Sequence, residues 1–489
     1  MTTNTPAYTG ATGFNQYVNT GYQFKYSDKA DFTHPNPQSN LYHNDSSNIL
    51  VNTGLKEGLY AQFPLFFKQI DLIKIPAKTE TAIRKYLPRQ LLYEIHPDVD
   101  TAIELCLLFL SNLTDTYFRM QSTIDPYHKL GWKNLKSEYI DEQLGDKFNF
   151  ELRKNIVSAL EHGTSKGVII ECDRKYLKGV YSFSYRLGAA YLGKGVNNYV
   201  LKTKHVKGLL NKSYYKTLSK CIENPICKNL IYFYGLVELP TKEEILNEAK
   251  RLVKEKYKTK KGKILTFLNN HSKNYFKDKE SRSFVSDAIE IFEYLTDNGL
   301  MIPRAGDEKS GGRVVDSFTL MPSWIRKLVK INGQNMEECD YKALHPNIAM
   351  HLYDGSKEYL NHNEVAKESG IDKNDVKKEH LSFFNMEVWQ MKKNKLYNYY
   401  NSTEPKMILN IIKEKTESSN KHKTTSMRMF KLEVDVMSCV IKKLNSESIY
   451  VGYVYDALFC SQNNVQRVIL VMNETILEFG VKTTKKKKK

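Results

Sequence analysis

Two aspartates, each following a short strand-like segment, are the residues of this chain best suited to metal-assisted chemistry. Asp340 follows the segment 336–339 and Asp456 follows the segment 453–455. Carboxylates at adjacent strand ends can share two divalent ions and direct an in-line attack on a phosphate. A single aspartate after a strand is more often a turn residue or a helix cap. Together, Asp340 and Asp456 predict a catalytic site that holds two Mg²⁺ or Mn²⁺ ions.

The elements predicted around these aspartates would place them on one sheet. The pattern predicts a half-buried strand over 336–339 and a tight hairpin with Asp456 near its tip. Helices are predicted over 347–353, after the N-cap Asp372, over 425–444 and over 465–477, and a last strand over 481–484. This is a split β-α-β-β-α-β order.

A fixed cation from another element is the next requirement, because negative charge develops on a phosphate during its transfer. Lys377 is the candidate, on the helix that follows Asp372, and Lys373 lies one turn earlier on the same face. Lys378 is a competing assignment. Glu433 lies close to the apolar stripe of a later helix, where an ionised carboxylate needs a metal or a cationic partner, so we predict a supporting role.

The composition favours a polyanionic partner. Lys and Arg number 73 against 55 Asp and Glu, and the sequence pI is near 9.2, which favours nucleic acid first and an acidic membrane second. The lysines of the run 258–263 (Lys258, Lys260, Lys261) are candidates for a phosphate track, with an ordinary solvated surface as the alternative. Seven cysteines without paired spacing and the lack of a long apolar stretch predict a soluble, intracellular protein without a membrane span.

The chain is predicted to have an α+β fold. The predicted regions are a polar, loosely ordered arm (1–58), a mixed α/β accessory domain (59–240), a helical basic linker or thumb-like region (241–300), a catalytic domain (301–484) and a basic tail (485–489). The N-terminal half is expected to grip nucleic acid or a protein partner.

The segment from about Gly311 to Lys482 resembles the palm and fingers of family A DNA polymerases and of single-subunit phage-type RNA polymerases. Asp340-Tyr341 is similar to their motif A, Lys373-x3-Lys377 with Asn385 to motif B, Tyr455-Asp456 to motif C, and Gly312–Val315 to a Gly-Arg-Val-Tyr segment that precedes motif A. The arrangement also looks like that of uncharacterised phage and mobile-element proteins. The resemblance implies a right-hand fold, a primer-template and nucleoside triphosphates as partners, and DNA replication as a role. It implies nucleotide contacts by Tyr341, His345, Lys373, Lys377, Lys378 and Asn385, and nucleic-acid contacts by Arg313 and Tyr455.

Three departures from these motifs leave the choice of sugar open. Tyr455 replaces the motif C histidine, Asn385 replaces a tyrosine, and His345 replaces a glutamate. DNA synthesis is the first prediction and RNA synthesis the close alternative. The alternative that is not an enzyme is a catalytically silent nucleic-acid-binding protein.

Arg313 is expected either to clamp a phosphate through two hydrogen bonds or to lie on the surface.

Overall fold

The computed structural model describes residues 71–122, 126–145, 149–162, 168–176, 182–259, 262–268, 281–482 and 485–487. The predicted polar arm over 1–58 lies outside the described residues, as do Lys260 and Lys261. Within the described ranges, the chain combines many helices with small sheets, so the predicted α+β class is confirmed. None of the described helices has both the length and the apolar character required to cross a bilayer.

The first half of the chain is mainly helical, with short strands. Its strands are β1 (Leu72–Pro76), β2 (Lys133–Asn134), β3 (Ile170–Asp173), β4 (Ser184–Leu187), β5 (Val196–Val200) and β6 (Val237–Glu238). Its helices are α1 (Thr79–Tyr86), α2 (Arg89–Ile95), α3 (Val99–Ser111), α4 (Asp115–Ser122), α5 (Pro126–Lys129), α6 (Ser137–Gln143), α7 (Phe150–His162), α8 (Lys204–Glu223), α9 (Pro225–Tyr234) and α10 (Lys242–Lys254).

The second half contains the predicted site. Its strands are β7 (Ile264–Thr266), β8 (Arg282–Phe284), β9 (Arg304–Ala305), β10 (Val314–Val315), β11 (Lys330–Ile331), β12 (Gln334–Asn335), β13 (Glu337–Tyr341), β14 (Gly452–Val454), β15 (Ala457–Cys460) and β16 (Lys485–Lys487). Its helices are α11 (Val285–Thr296), α12 (Ser317–Leu320), α13 (Ser323–Arg326), α14 (Leu344–Leu352), α15 (His362–Ser369), α16 (Lys373–Phe383), α17 (Val388–Met391), α18 (Lys395–Thr403), α19 (Pro405–Glu417), α20 (Lys423–Ser446) and α21 (Val465–Glu478).

The C-terminal sheet is antiparallel, with the strand order β14-β15-β13-β16. In chain order its elements are a strand, a helical insertion, a hairpin, a helix and a strand, which is the predicted split β-α-β-β-α-β order. The last strand lies at Lys485–Lys487 instead of the predicted 481–484, within the residues predicted to be a basic tail. Buried Cys339 and Leu458 lie opposite each other on one face of the sheet.

Several predicted helix boundaries are corrected by the structure. The helix predicted to begin at Asn347 begins at Leu344, after Ala343 in the left-handed conformation. The region predicted to be helical over 241–300 contains the charged helix α10, which ends at Lys254. The helix predicted after Asp372 is confirmed, because the Asp372 carboxylate accepts hydrogen bonds from the next helical N–H groups.

The described residues form two hydrophobic cores, which divide within α8, and polar contacts join them at α11. One core lies between Ile73 and Leu210 and the other between Leu218 and Val481. Nζ of Lys74 donates to the carbonyl oxygens of Glu293 and Tyr294 near the C-terminal end of α11. A cation at this end of a helix is favourable because it meets the negative end of the helix dipole.

Candidate active site

The two predicted aspartates lie side by side on the C-terminal sheet. Asp340, on β13, lies opposite Ala457 of β15 in the sheet register. Asp456 directly precedes Ala457 in the chain and is therefore adjacent to Asp340. Burial, the Asp340 carboxylate and the Glu433 carboxylate raise the pKa of Asp456 from its ordinary 3.8 to about 7. Two neighbouring carboxylates that resist ionising together are electrostatically ready for a divalent cation.

The turn that carries Asp456 is a two-residue hairpin loop. β14 and β15 pair through Val454 and Ala457, which leaves Tyr455 and Asp456 as the loop. Tyr455 has φ 58°, a left-handed conformation that non-glycine residues adopt rarely. The Arg313 guanidinium lies 4.9 Å from the centre of the Tyr455 ring. The predicted hairpin is confirmed, and its backbone is of the strained kind that is often found at functional sites.

A buried cluster of Arg313, Glu433 and His345 lies beside the aspartates. Glu433 is fully buried on α20 and accepts a hydrogen bond from Nε of Arg313 at 2.7 Å. Nε2 of His345 lies 2.6 Å from Glu433 Oε2 and 2.9 Å from Arg313 Nη2. Burial opposes ionisation of Glu433, but the Arg313 charge and the His345 hydrogen bond outweigh it and lower its pKa to about 2. The supporting carboxylate therefore has the cationic partner that its burial requires.

Close backbone packing brings Arg313 to this cluster. Gly311 ends a 3₁₀ turn with φ 65°, and a Cβ on it would lie 2.5 Å from backbone atoms of Phe430 and Lys431 on α20. The Arg313 guanidinium then lies 3.6 Å from the centre of the Phe430 ring. Arg313 is 7% exposed and forms a buried ion pair with Glu433, so the alternative of a surface position is wrong. Its predicted contact with a phosphate stays a prediction.

Tyr341 and His345, both predicted to contact the nucleotide, have different surroundings. Tyr341 is 3% exposed and its hydroxyl donates to the carbonyl oxygen of Met472 on α21. Successive residues of a strand face opposite sides, so Tyr341 belongs to the core while Asp340 faces the other way. His345 is half-buried near the start of α14, and its charge lowers the pKa of Asp456.

The lysines predicted to contact phosphates lie on α16. Lys373 and Lys377 are exposed, and their charges, together with the larger effect of burial, lower the pKa of His362 to about 4. Nδ1 of His362 lies 3.1 Å from Nδ1 of His380 on α16. The pKa of His380 is lowered to about 3 by burial, then by His362 and His345. His362 and His380 therefore form a close pair between α15 and α16, and the charge of His345 acts on His380.

The remaining predicted residues are less closely associated with the aspartates. Lys378 is exposed and pairs with Asp375 at 3.5 Å. Asn385 is exposed just beyond the C-terminal end of α16. Lys258 is exposed after α10, and its backbone forms an isolated antiparallel β-bridge with Ile264. The structure therefore does not group Lys258 with the site.

The sequence analysis did not identify His362 or Tyr453 as members of this region. His362 starts α15, and only the folded insertion brings it to Lys373 and Lys377. Tyr453 is fully buried and its hydroxyl has no hydrogen-bond partner in the part of the chain that the structure describes. Burial and the Glu433 charge hold the pKa of Tyr453 well above its ordinary range. Alternation along the hairpin indicates a buried tyrosine but not the influence of the Glu433 charge on it.

The donor chemistry of the carboxylate pair fits a hard divalent cation. Mg²⁺ is commonly bound by one or two carboxylates, with substrate phosphates and water completing its coordination. Among the described residues, there is no group of three or more histidine, cysteine, aspartate or glutamate side chains arranged for a metal.

Comparison with known proteins gives little further information. No family model and no curated protein matches the chain. One solved structure similar to it is the POL domain of Pol1 from M. smegmatis in complex with DNA primer-template and dNTP. The TM-score is 0.36 and the identity 8%, over 58% of this chain and 73% of that one. A likeness this weak assigns neither a fold nor a function.

Proposed function

We propose that this protein is a metal-dependent, template-directed nucleotidyltransferase, with DNA synthesis as its first function. The observation that carries the proposal is the placement of Asp340, on β13, beside Asp456, which precedes its paired residue Ala457, where burial and the Asp340 carboxylate raise the pKa of Asp456 to about 7. An ordinary turn aspartate has no such neighbour. The split sheet order and the motif-like residues at both positions support a polymerase palm.

The chemistry divides between the metal and the residues of the chain. When bound, Mg²⁺ or Mn²⁺ supplies Lewis acidity to the attacking hydroxyl and to the phosphate. Asp340 and Asp456 would hold it through their carboxylate oxygens. Glu433 is less suited to this role, because its oxygens are bonded to Arg313 and His345. Its contribution is to fix Arg313, which in turn lies against the Tyr455 ring.

A triphosphate site on the helical insertion completes the proposal. Lys373 and Lys377 are exposed near His362, and no ion pair joins either lysine to an acidic residue among those described. Two neighbouring cations that no ion pair neutralises favour an anion. Lys377, Lys373 and His362 would therefore bind the phosphates of the incoming nucleotide, with Lys378 farther along α16 and Asn385 just beyond the C-terminal end of the helix.

Extension of a labelled primer tests this function. Wild-type protein would be given DNA or RNA templates, Mg²⁺ or Mn²⁺, and deoxynucleotides or ribonucleotides separately. We expect template-dependent extension that Asp340→Asn and Asp456→Asn abolish while they retain primer-template binding. Asp435→Asn, which removes an exposed carboxylate of α20 paired with Lys431, is the matched control and should extend normally.

The outcome also decides among the alternatives. Extension with ribonucleotides only would identify an RNA polymerase. No extension under any combination, together with salt-sensitive binding that both substitutions leave intact, would favour a silent nucleic-acid-binding protein. Extension retained by either aspartate variant would contradict the assignment of the site.

A further inference from the structure

A tryptophan is displayed on the surface of the helical insertion, just beyond α16. Trp389 is 52% exposed on the short helix α17, whereas Met391 on the same helix is fully buried. Of the other two tryptophans, Trp324 is buried and Trp132 is half-buried. An indole ring is costly to leave in water, so an exposed one is a candidate contact site.

The ring is held in a defined orientation. Nε1 of Trp389 donates to Glu387 Oε2 at 2.5 Å. Nζ of Lys393 lies 5.1 Å from the centre of the ring, within range of a cation–π interaction. The ring is therefore a fixed surface, and binding against it costs less conformational entropy than binding against a freely rotating side chain.

A buried lysine fixes the chain segment that leads to this ring. Lys415, 3% exposed on α19, donates from Nζ to the carbonyl oxygens of Phe384 and Met386 at 2.8 Å and of His422 at 2.9 Å. An ammonium group has three donors, and these carbonyls use all of them. The loop after α16, including exposed Asn385, is thereby tied to the segment before α20.

The charge around Trp389 is positive. Lys392, Lys393 and Lys395 are all exposed, and no salt bridge joins any of them to an acidic residue within the described ranges. The only acid between residues 386 and 395 is Glu387, which is bonded to the indole. A planar ring beside unpaired cations is the combination that binds bases by stacking and phosphates by charge.

We propose that Trp389 and the lysines around it bind an unpaired nucleic-acid strand. The bases of a duplex are stacked on each other and cannot offer a face to the indole, whereas those of a single strand can. The proposal deepens the proposed function and rests on it, since a template-directed enzyme must hold an unpaired strand. The surface follows α16, so that strand would pass the end of the helix that carries Lys373 and Lys377.

Binding of labelled oligothymidylate, measured by fluorescence anisotropy without divalent ions, tests this surface. Trp389→Ala should weaken binding about tenfold, and Trp389→Phe should retain most of it because a ring remains. Tyr93→Ala, which removes another exposed aromatic, is the control and should bind as wild type. Changing Lys392 and Lys393 to Gln should make the salt dependence shallower by roughly 0.7 for each phosphate that the variant no longer neutralises.

A duplex of the same length separates stacking from general electrostatic attraction. We expect Trp389→Ala to bind the duplex as wild type does. Unchanged affinity of Trp389→Ala for oligothymidylate would overturn the proposal and favour a protein as the partner of the ring. An equal loss of affinity for the strand and the duplex would also overturn it, because the ring would then not distinguish unpaired bases. Strand binding that depends on Trp389 in a protein that extends no primer would support the surface and contradict the polymerase.

Discussion

Arg313 and Glu433 form a buried ion pair between two segments 120 residues apart in the chain. Removing one partner would leave the other charge buried and uncompensated, which commonly costs about 3–5 kcal/mol. We therefore expect Glu433→Gln to lower the free energy of unfolding by about 3 kcal/mol, measured by urea titration. Asp435→Asn, which breaks an exposed pair on the same helix, should cost less than about 1 kcal/mol. Equal effects of the two substitutions would contradict a structural role for the buried pair.

The close contact of Gly311 with α20 predicts an unusually large effect of adding one methyl group. Gly311→Ala combines a left-handed alanine, which costs about 1–2 kcal/mol, with a clash against backbone that has little room to move. Gly370, at the C-terminal end of α15, has φ 69°, and a Cβ on it would meet no atom within 4 Å. Gly370→Ala therefore measures the conformational cost alone.

We expect Gly311→Ala to destabilise the protein by about 1–3 kcal/mol more than Gly370→Ala, as overpacking does. It should also reduce primer extension, because Arg313 follows Gly311 closely in the chain. Urea unfolding and extension assays of both variants check this. Similar losses of stability in the two variants would mean that the segment over 304–315, whose strands β9 and β10 pair with each other, can move away from α20 without cost.

The raised pKa of Asp456 predicts a pH-dependent cost to stability. Between about pH 4 and 7 the unfolded chain releases this proton while the folded protein retains it, so stability falls as pH rises, and the whole cost is present above pH 7. Without metal, Asp456→Asn should therefore raise the melting temperature at pH 8 and leave it unchanged near pH 4. Thermal unfolding at both values tests this, with Asp435→Asn as the control. If Asp456→Asn melted at a lower temperature than the wild type at pH 8, the repulsion between Asp456 and its neighbouring carboxylates would be refuted.

Metal affinity should depend on the same proton. A divalent ion competes with the proton on Asp456, so Mn²⁺ affinity should fall about tenfold per pH unit below pH 7 and level off above it. Calorimetric titration with Mn²⁺ between pH 5.5 and 8.5 measures this dependence. Below pH 7 it should also detect the release of about one proton for each ion bound. Asp456→Asn should lose the affinity, while Asp435→Asn should keep both the affinity and its pH profile.

Local patterns in the sequence were sufficient to predict the elements that carry the two aspartates. Alternating apolar residues predict the hairpin around Asp456, and the polar residue before an amphipathic run predicts the cap at Asp372. The need of a buried carboxylate for a cation predicts the type of partner that Glu433 has. Each of these inferences depends on a few neighbouring residues.

The partners across the fold could not be predicted in this way. Nothing near Glu433 in the sequence indicates Arg313, and periodicity does not show that Tyr341 faces α21. The last strand is a run of lysines, a composition that strands rarely have. Pairing with β13 gives it a place in the sheet that its own sequence does not indicate.

The convergence of Lys373, Lys377 and His362 predicts a spectroscopic response to nucleotide. Burial and the two lysine charges lower the pKa of His362 to about 4 in the free protein. A bound triphosphate would neutralise these charges and favour the imidazolium, so the pKa of His362 should rise on binding. Titration of the histidine ring signals by NMR, with and without nucleoside triphosphate, measures the change. Lys377→Gln should raise the pKa of His362 in the free protein and weaken the response, whereas Lys378→Gln, which removes a lysine paired with Asp375, should preserve it. A pKa that stays near 4 at saturating nucleotide would place the triphosphate elsewhere.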